Sequence, residues 1–312
     1  MATKTYTTIK HHNSRRLSVK VSGFTFLKNG SVLGYPFVES IKSALPICDE
    51  FIVALGPCDD DTEEKLLAIG DPKIRIIHTH WNEKMQDRGY VYGQQKMIAH
   101  FNCSGDWALY IEGDEVLHED ELPTIKRNME KYLEDSEVEA FYFDFYHFYG
   151  RPDQVGISGY RRAPRIIRNS VRSIAPDGLF FVVLEKNKKG RYPKAVHAGG
   201  NIYHYGHVRN IQKMQEKINQ VSKYWDHTPE PFPGYGNIDT AVIRPFNGYH
   251  PKIMDTWLNN DAEWDFAQSP DYKLCKRDKK VRIKLKLEKM LGVEISKKHY
   301  QDLKKNDNEH KS

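Results

Sequence analysis

Apolar and polar positions in the first part of the chain alternate between the period of a buried strand and that of a helix. Short apolar runs predict strands at Val19–Leu27, Glu50–Leu55, Lys73–His78 and Trp107–Ile111. Apolar positions at helical spacing predict helices at Tyr35–Leu45, Asp60–Ile69 and Gly93–Phe101. Strands that alternate with helices in this way predict βαβ units and a mostly parallel sheet flanked by helices.

The pattern changes after residue 115. We expect a helix from Pro123 to about Leu133, a long aromatic strand at Ala140–Tyr149, and strands with hairpins up to Tyr203. A helix at Ile211–Trp225 precedes a loop rich in proline and glycine, and Val281–Leu291 is helical. The predicted organisation is a flexible lead-in (1–18), an α/β domain (19–225), a loop region (226–271) and a basic helical tail (272–312).

Composition adds little until charge is considered. Apolar residues make up 39% of the 312 positions, which is enough for a core. No apolar run approaches the roughly 20 residues of a membrane-spanning helix, and Met1–Lys20 lacks a signal-peptide core, so we expect a cytoplasmic protein. The four cysteines show no Cys-x-x-Cys pair, which predicts reduced thiols without zinc.

The net charge of +5 is unevenly distributed, because the segment Lys273–Lys305 carries much of the excess. A basic tail of this kind binds nucleic acid or an anionic membrane surface, or it is simply a solvated helix face. Composition does not decide among the three.

An acidic cluster follows the predicted strand at Trp107–Ile111. Glu112, Asp114 and Glu115 arrive where that strand ends, and ligands of open α/β sheets bind beyond the carboxyl ends of the strands. Carboxylates in this position hold a hard divalent cation through oxygen ligands. The alternative is a solvated acidic turn before a helix, and the spacing alone favours neither.

The order of these segments resembles that of family 2 glycosyltransferases of the GT-A fold. The resemblance spans roughly Val19 to Trp225. It rests on Leu27-Lys28-Asn29, Ile52–Leu55 with Asp60-Asp61-Thr62, Gly105-Asp106-Trp107 leading to Asp114-Glu115, Arg165–Arg168 and Tyr203–Arg209. It implies a GT-A (Rossmann-like) domain that transfers a sugar, with inversion, from a nucleotide-sugar donor to a glycan or lipid-linked acceptor. Surface polysaccharide and lipopolysaccharide acceptors fit this class, and residues 226–271 would lie on the acceptor side.

The resemblance also implies a metal site for Mn²⁺ or Mg²⁺ that grips the donor diphosphate. Glu112-Gly113-Asp114 stands where the family has Asp-x-Asp, which makes Asp114 the expected ligand and Glu112 its helper. His204 would return to the metal or the diphosphate; the alternative is a hydrogen-bonded core histidine. A departure is Leu55-Gly56-Pro57, which lacks the acid that often reads the base, so the donor base is not predicted.

Further residues follow as candidates. The expected donor contacts are Lys28, Asn29, Arg88, Glu112, Arg165, Arg168 and Arg209. Asp177 is the expected general base, although Pro176-Asp177-Gly178 is also an ordinary turn. Glu115 and Asp144 are the second candidates for the general base. The alternatives are that Glu115 braces the metal loop and that Asp144 caps a sheet edge.

Two other functions stay open from the sequence. A nucleotidyltransferase would use a similar sheet, but it needs a glycine-rich basic loop after the first strand, and Phe26–Ser31 has one glycine and one lysine. A nucleic-acid-binding protein would use the basic tail, but its aromatic and basic residues are not interleaved. We therefore expect no nucleic-acid partner, and we expect the tail to contact an anionic membrane at its inner face.

Overall fold

The computed structural model describes residues 18–85, 87–259 and 268–305, so most of the predicted lead-in lies outside the described residues. The helices are α1 (Phe37–Ala44), α2 (Thr62–Leu67), α3 (Tyr90–Phe101), α4 (Leu122–Lys131), α5 (Ile211–Val221), α6 (Asp255–Asn259) and α7 (Lys276–Leu291). The first eight strands are β1 (Val21–Leu27), β2 (Glu50–Leu55), β3 (Ile74–His78), β4 (Trp107–Tyr110), β5 (Glu115–Leu117), β6 (Ala140–Tyr149), β7 (Arg151–Gly156) and β8 (Arg162–Arg168). The remaining strands are β9 (Ser173–Ile174), β10 (Val182–Leu184), β11 (Gly190–Arg191), β12 (Lys194–His207), β13 (Ile243–Pro245) and β14 (Gln301–Asp302).

A parallel unit of four strands forms one half of the main sheet. Its order is β3-β2-β1-β4, with β1 parallel to β2 and β4, and β2 parallel to β3. Because these strands run in one direction, the segments that follow β1, β2 and β4 leave the sheet at the same edge. The predicted α/β fold with a mostly parallel central sheet flanked by helices is confirmed.

Antiparallel strands extend the sheet beyond β4. The order continues as β8-β6-β7-β13, with each neighbouring pair antiparallel. The long strand β12 runs parallel to β6 and antiparallel to the short β5, which places His204 opposite Glu115. A strand from late in the chain is thereby brought to the acidic cluster.

The core explains why these segments are strands. In β1, β2 and β4 nearly every residue is buried, as expected for strands covered on both faces, and only Phe26 and Glu50 are partly exposed. Gly23 in β1 is required by packing, since a Cβ there would lie 2.3 Å from a ring carbon of Phe51. The predicted bounds of β2 and β6 agree with the structure residue for residue.

The basic segment after residue 272 packs against the rest of the protein. Helix α7 contacts the segment 240–242, and β14 pairs with β12 next to the buried Tyr300. Within the described ranges, no helix combines the length and the apolar character needed to cross a membrane.

Candidate functional site

A cavity of about 640 Å³ opens at the edge of the sheet where β1 and β4 end. Its wall includes Lys28 and Asn29 after β1, and Glu112, Gly113 and Asp114 after β4. His204 from β12 and Lys217 from α5 complete the polar side of the wall. The resemblance implied that residues 28, 29, 112, 114 and 204 would meet, and the structure brings them to one cavity.

Asp114 is the centre of this polar side. Its Oδ1 lies 3.6 Å from Nε2 of His204, and its Oδ2 accepts a hydrogen bond of 3.2 Å from Nζ of Lys217. Burial by itself would raise the pKa of Asp114, but Lys217 and His204 hold that pKa well below its usual range. Asp114 is therefore an ionised carboxylate with one oxygen directed to each neighbour.

A chain of hydrogen bonds sets the orientation and the tautomer of His204. Nε2 of His147 lies 2.8 Å from the carbonyl oxygen of Tyr160, which can only accept, so His147 donates from Nε2. Burial and the neighbouring His204 lower the pKa of His147 to about 3, which keeps its ring neutral and makes Nδ1 an acceptor. His204 must then donate from Nδ1, 2.9 Å away.

This orientation decides whether a cation fits beside Asp114. With Nδ1 of His204 engaged by His147, the other ring nitrogen, Nε2, faces Oδ1 of Asp114. A carboxylate oxygen and an imidazole nitrogen that face each other are a ligand pair for a divalent metal such as Mn²⁺. The imidazole is anchored through its other nitrogen, as is usual for metal-binding histidines.

Gly206 keeps the space between these two ligands open. A Cβ at this position would lie 2.5 Å from Nε2 of His204 and 2.9 Å from Oδ2 of Asp114. No set of three or more His, Cys, Asp and Glu side chains suited to enclosing an ion occurs in the described part of the chain. A cation between Asp114 and His204 would therefore need further ligands, such as phosphate oxygens and water.

Glu112 lies in the cavity wall but points to an arginine. Its Oε1 accepts a hydrogen bond of 3.1 Å from Nη2 of Arg165. Burial and the nearby Glu115 raise the pKa of Glu112 to about 7, against the opposing effect of Arg165. Its expected role as a helper of Asp114 stays a prediction.

Glu115 and Arg165 form a buried ion pair, which corrects two predicted roles. Both carboxylate oxygens of Glu115 accept from Arg165, at 2.8 and 2.6 Å, and both side chains are fully buried. The remaining guanidinium N–H groups bond Glu112 and the carbonyls of Pro164 and Leu179. Glu115 therefore has no access to an acceptor and Arg165 has no donor left for a phosphate; the pair braces the acidic loop.

Arg168 and Arg88 also lie away from the cavity. Arg168 is paired with Trp107 at the start of β4, the opposite end from Asp114, and donates to the carbonyls of Tyr132, Leu133, Asp135 and Val138. The side chain of Arg88 is 90% exposed beside Asp87 and is absent from the cavity wall. Neither arginine is placed for the donor contact that we expected.

Arg209 lies behind the cavity wall. Its guanidinium packs 5.1 Å from the ring of Tyr35, which lines the cavity, and Nη1 donates to the carbonyl oxygen of Leu33. Nε and Nη2 of Arg209 are buried and have no hydrogen-bond partner among the described residues. A positive charge with unused donors thus lies next to the polar side of the cavity.

Lys217 is a site residue that the sequence did not reveal. Nζ donates to Oδ2 of Asp114 and, at 3.0 Å, to the carbonyl oxygen of Gly206. Burial and the proximity of Arg209 lower the pKa of Lys217 to about 8. No motif separates this lysine from the other lysines in the second half of the chain, so no signal in the sequence pointed to it.

Asp177 does not itself line the cavity, although the two residues that follow it do. Its Oδ1 accepts from the backbone N–H groups of Leu179, at 2.8 Å, and Phe180, at 3.4 Å, which is the turn that Pro-Asp-Gly permits. Gly178 and Leu179 line the cavity. Asp144, a second candidate for the general base, forms ion pairs with Arg162 and His197. The role of Asp177 as general base stays a prediction.

Aromatic rings form a second part of the cavity wall. Phe26, Trp81, Tyr92, Tyr224 and Trp225 line it, and Trp81 meets Tyr92 and Tyr224 edge to face at 5.5 and 5.3 Å. Lys28 and Asn29 lie beside this aromatic wall, where Oδ1 of Asn29 accepts from the backbone N–H of Asp59. The predicted donor contact of these two residues is compatible with their position and stays a prediction.

Comparisons with known proteins give partial matches of fold only. No family model and no curated protein sequence matches the chain. Glucosyl-3-phosphoglycerate synthase from Mycobacterium tuberculosis, in complex with Mn²⁺, uridine diphosphate and phosphoglyceric acid, is similar with 20% identity, over 43% of this chain and 44% of that chain, at a TM-score of 0.30. S. aureus TarS is similar with 13% identity, over 65% of this chain and 39% of that chain, at a TM-score of 0.36. The chain spans less than half the length of either structure.

Proposed function

We propose that the protein is a metal-dependent glycosyltransferase that moves a sugar, with inversion, from a nucleotide-sugar donor to a glycan or lipid-linked acceptor. The observation that carries the proposal is the pair Asp114 and His204: Nε2 of His204 lies 3.6 Å from the carboxylate of Asp114 at the carboxyl edge of the parallel strands, and Nδ1 of His204 is engaged by His147. Acceptors of the surface polysaccharide or lipopolysaccharide type fit this class of reaction.

The cation would be Mn²⁺ or Mg²⁺, held by Asp114 and His204, with Glu112 as the further candidate. Bound there, it would neutralise the diphosphate that leaves the sugar. The protein's own contribution is to fix the two ligands, since His147 orients His204 and Lys217 holds the second oxygen of Asp114. A carboxylate held in this way presents Oδ1 in one orientation, which limits the cost of ordering it on binding.

Lys217 and Arg209 add fixed positive charge on the same side of the cavity. Both side chains are largely buried, so their field at the diphosphate would be screened less than that of a surface cation. Nε and Nη2 of Arg209 have no hydrogen-bond partner among the described residues, so a diphosphate oxygen that reached them beside Tyr35 would satisfy them. Of the three arginines predicted for this cationic role, Arg165, Arg168 and Arg209, we therefore propose only Arg209, and we add Lys217.

The aromatic wall supports a place for the nucleoside. Flat rings at Trp81, Tyr92 and Tyr224 provide a surface for stacking a base, and Lys28 and Asn29 supply polar groups next to it. We therefore propose the aromatic part of the cavity for the base and the part around Asp114 for the diphosphate.

The acceptor hydroxyl must lose its proton to a general base. Asp177 is the proposed base because its turn contributes Gly178 and Leu179 to the cavity wall. Both backbone hydrogen bonds of this turn go to Oδ1, so Oδ2 would be the oxygen that takes the proton of the acceptor hydroxyl. A lipid-linked acceptor also requires contact with a membrane, and we propose the basic tail for that contact.

The proposal is tested first by ligand binding. The melting temperature is measured with a panel of nucleoside diphosphates, with and without Mn²⁺, for the parent protein and for Asp114→Asn. We expect one nucleoside diphosphate to stabilise the parent only with Mn²⁺, and Asp114→Asn to lose this stabilisation. Asp120→Asn, whose parent side chain is 85% exposed, serves as the matched control and should behave like the parent.

The second step measures turnover with the nucleotide sugars of the base identified in this way. We expect release of the nucleoside diphosphate that depends on acceptor and Mn²⁺ and is lost in Asp114→Asn. Unchanged turnover in both Asp114→Asn and Asp177→Ala would refute the assignment of the site. Absence of any stabilising nucleotide, with or without metal, would refute the function.

A further inference from the structure

Helix α7 carries an apolar stripe that faces solvent. Ile283, Leu287, Met290 and Leu291 are 59%, 41%, 79% and 59% exposed. They follow the i, i+4, i+7, i+8 spacing that aligns residues on one side of a helix. Val293 and Ile295, which are 55% and 44% exposed, come directly after the helix. A helix of a folded protein usually turns such a stripe toward the core, so its exposure needs an explanation.

The other side of α7 is bound to the rest of the protein, so the orientation of the helix is defined by its contacts. Arg282 donates twice to Asp239, with both contacts at 2.8 Å. The buried Glu288 accepts from Arg161 and from the backbone N–H of Ile295. These contacts lock the rotation of the helix about its axis, and the stripe is held outward.

Lysines border the stripe. At 100° per residue, Lys276, Lys279, Lys280 and Lys286 fall within about a quarter turn of its centre, and all four are exposed. Within the described ranges none of them forms a salt bridge. The surface therefore combines aliphatic side chains with a border of long, unpaired cations.

We infer that this face of α7 lies on an anionic lipid surface, with the apolar stripe among the acyl chains and the bordering lysines on lipid phosphates. A lipid surface uses both features, because the lysine stems extend along the apolar region while their ammonium groups reach the headgroups. A second copy of the chain would use the stripe but would bring the lysine borders together. A nucleic acid would use the lysines but would leave the aliphatic side chains in water.

The inference deepens the proposed membrane contact, and it does not depend on sugar transfer. The test is cosedimentation of the full chain with phosphatidylcholine vesicles and with vesicles that contain phosphatidylglycerol, at low and high salt. We expect binding to the anionic vesicles that weakens with salt, and little binding to the neutral ones. Asp114→Asn should bind the vesicles like the parent, so a failure of the catalytic proposal would leave this result unchanged.

Two groups of variants separate the stripe from its border. Ile283→Ser with Leu287→Ser and Met290→Ser should reduce the partition coefficient at least tenfold. Lys279→Gln with Lys280→Gln and Lys286→Gln should reduce it to a similar degree and remove most of the salt dependence. Because all these side chains are exposed, we expect parental melting temperatures for both groups.

Matched controls come from other surfaces of the protein. Leu67→Ser with Phe101→Ser removes side chains that are 62% and 73% exposed on α2 and α3. Lys186→Gln with Lys188→Gln and Lys189→Gln removes an exposed basic cluster elsewhere. Both controls should bind like the parent. Equal binding to neutral vesicles, or parental binding by the α7 variants, would overturn the inference, as would a lipid-free dimer that the serine variants dissociate.

Discussion

Gly206 shows how a single residue limits the chemistry of the site. It follows His204 by two positions on β12, and its missing side chain leaves the space in which His204 and Asp114 face each other. Any Cβ here must push on a ring nitrogen and a carboxylate that are both held by other contacts. The glycine of the His-Tyr-Gly segment therefore has a steric reason, which the sequence alone did not supply.

We predict that Gly206→Ala lowers the affinity for Mn²⁺ at least tenfold, because displaced ligands no longer share one cation. Isothermal titration of the folded protein with Mn²⁺ measures this change. Gly159→Ala is the matched control, since a Cβ at that glycine meets no atom within 4 Å. Parental affinity in a folded Gly206→Ala variant would contradict the assigned ligand pair.

Single residues also show which parts of the site could not be predicted from the sequence. Asp114 was predictable because a buried strand followed by acids is a local pattern. Lys217 and His147 were not predictable, since their role depends on α5 and β6 meeting residues that are far away in the chain. Arg165 was assigned wrongly for the same reason: nothing local shows that Glu115 faces it across the sheet.

At the scale of elements, one carboxylate joins three segments around the aromatic wall. Glu83, in the loop before α3, accepts from Nζ of Lys28 at 2.5 Å, from Nζ of Lys223 at 2.8 Å and from the hydroxyl of Tyr224 at 3.0 Å. Burial by itself would raise the pKa of Glu83, but these hydrogen bonds lower it to about 2. Glu83 is thus ionised when it holds these three segments together.

The lowered pKa of Glu83 predicts how the stability of the protein changes with pH. A carboxyl whose pKa is lowered by folding stabilises the protein above the unfolded value of 4.5, and this stabilisation is lost as the pH falls toward 2. We predict that Glu83→Gln lowers the melting temperature at pH 7, and that the difference from the parent shrinks below about pH 4. Thermal denaturation at several pH values measures this difference in melting temperature, and Glu64→Gln, at an exposed position, is the control. A difference that stays constant down to pH 3 would show that the charge of Glu83 is not involved.

Elements with strong apolar patterns were predicted closely, and those that depend on charge or capping were not. The pattern predicted β2 and β6 to the residue: β2 is buried after Glu50, and β6 is buried over its first four residues and rich in aromatic residues throughout. Helix α7 begins at Lys276, five residues before the predicted Val281, because a capping box of Cys275 and Asp278 starts it. Lysine and arginine then continue the helix without apolar residues. Apolar periodicity cannot detect a helix start of this kind.

At the scale of the whole molecule, the buried pair of Arg165 and Glu115 joins strand β8 to the segment that follows the acidic loop. Arg165 comes from β8, on the antiparallel side, and Glu115 from β5, directly after the acidic loop. A third contact, to the carbonyl oxygen of Leu179, ties in the loop that carries Asp177. The geometry of the site therefore depends on an ion pair that touches neither the proposed metal nor the substrate.

We predict that Arg165→Met destabilises the protein by about 3–5 kcal/mol, because it leaves the carboxylate of Glu115 buried without a partner. Urea denaturation measures this change, and the slope with urea should stay near that of the parent. Arg151→Met is the control: its pair with Asp153 is exposed to solvent, and such pairs contribute about 0–1 kcal/mol.

Arg165→Met combined with Glu115→Leu should recover part of the lost stability, since the double variant no longer buries an unpaired charge. The double variant also separates the two roles considered for Arg165. A bracing role predicts that stability and nucleotide binding fall together in the single variant and recover together in the double variant. If Arg165→Met kept the stability of the parent and lost only nucleotide binding, Arg165 would be a donor contact after all. The complete use of its N–H groups inside the protein argues for the bracing role.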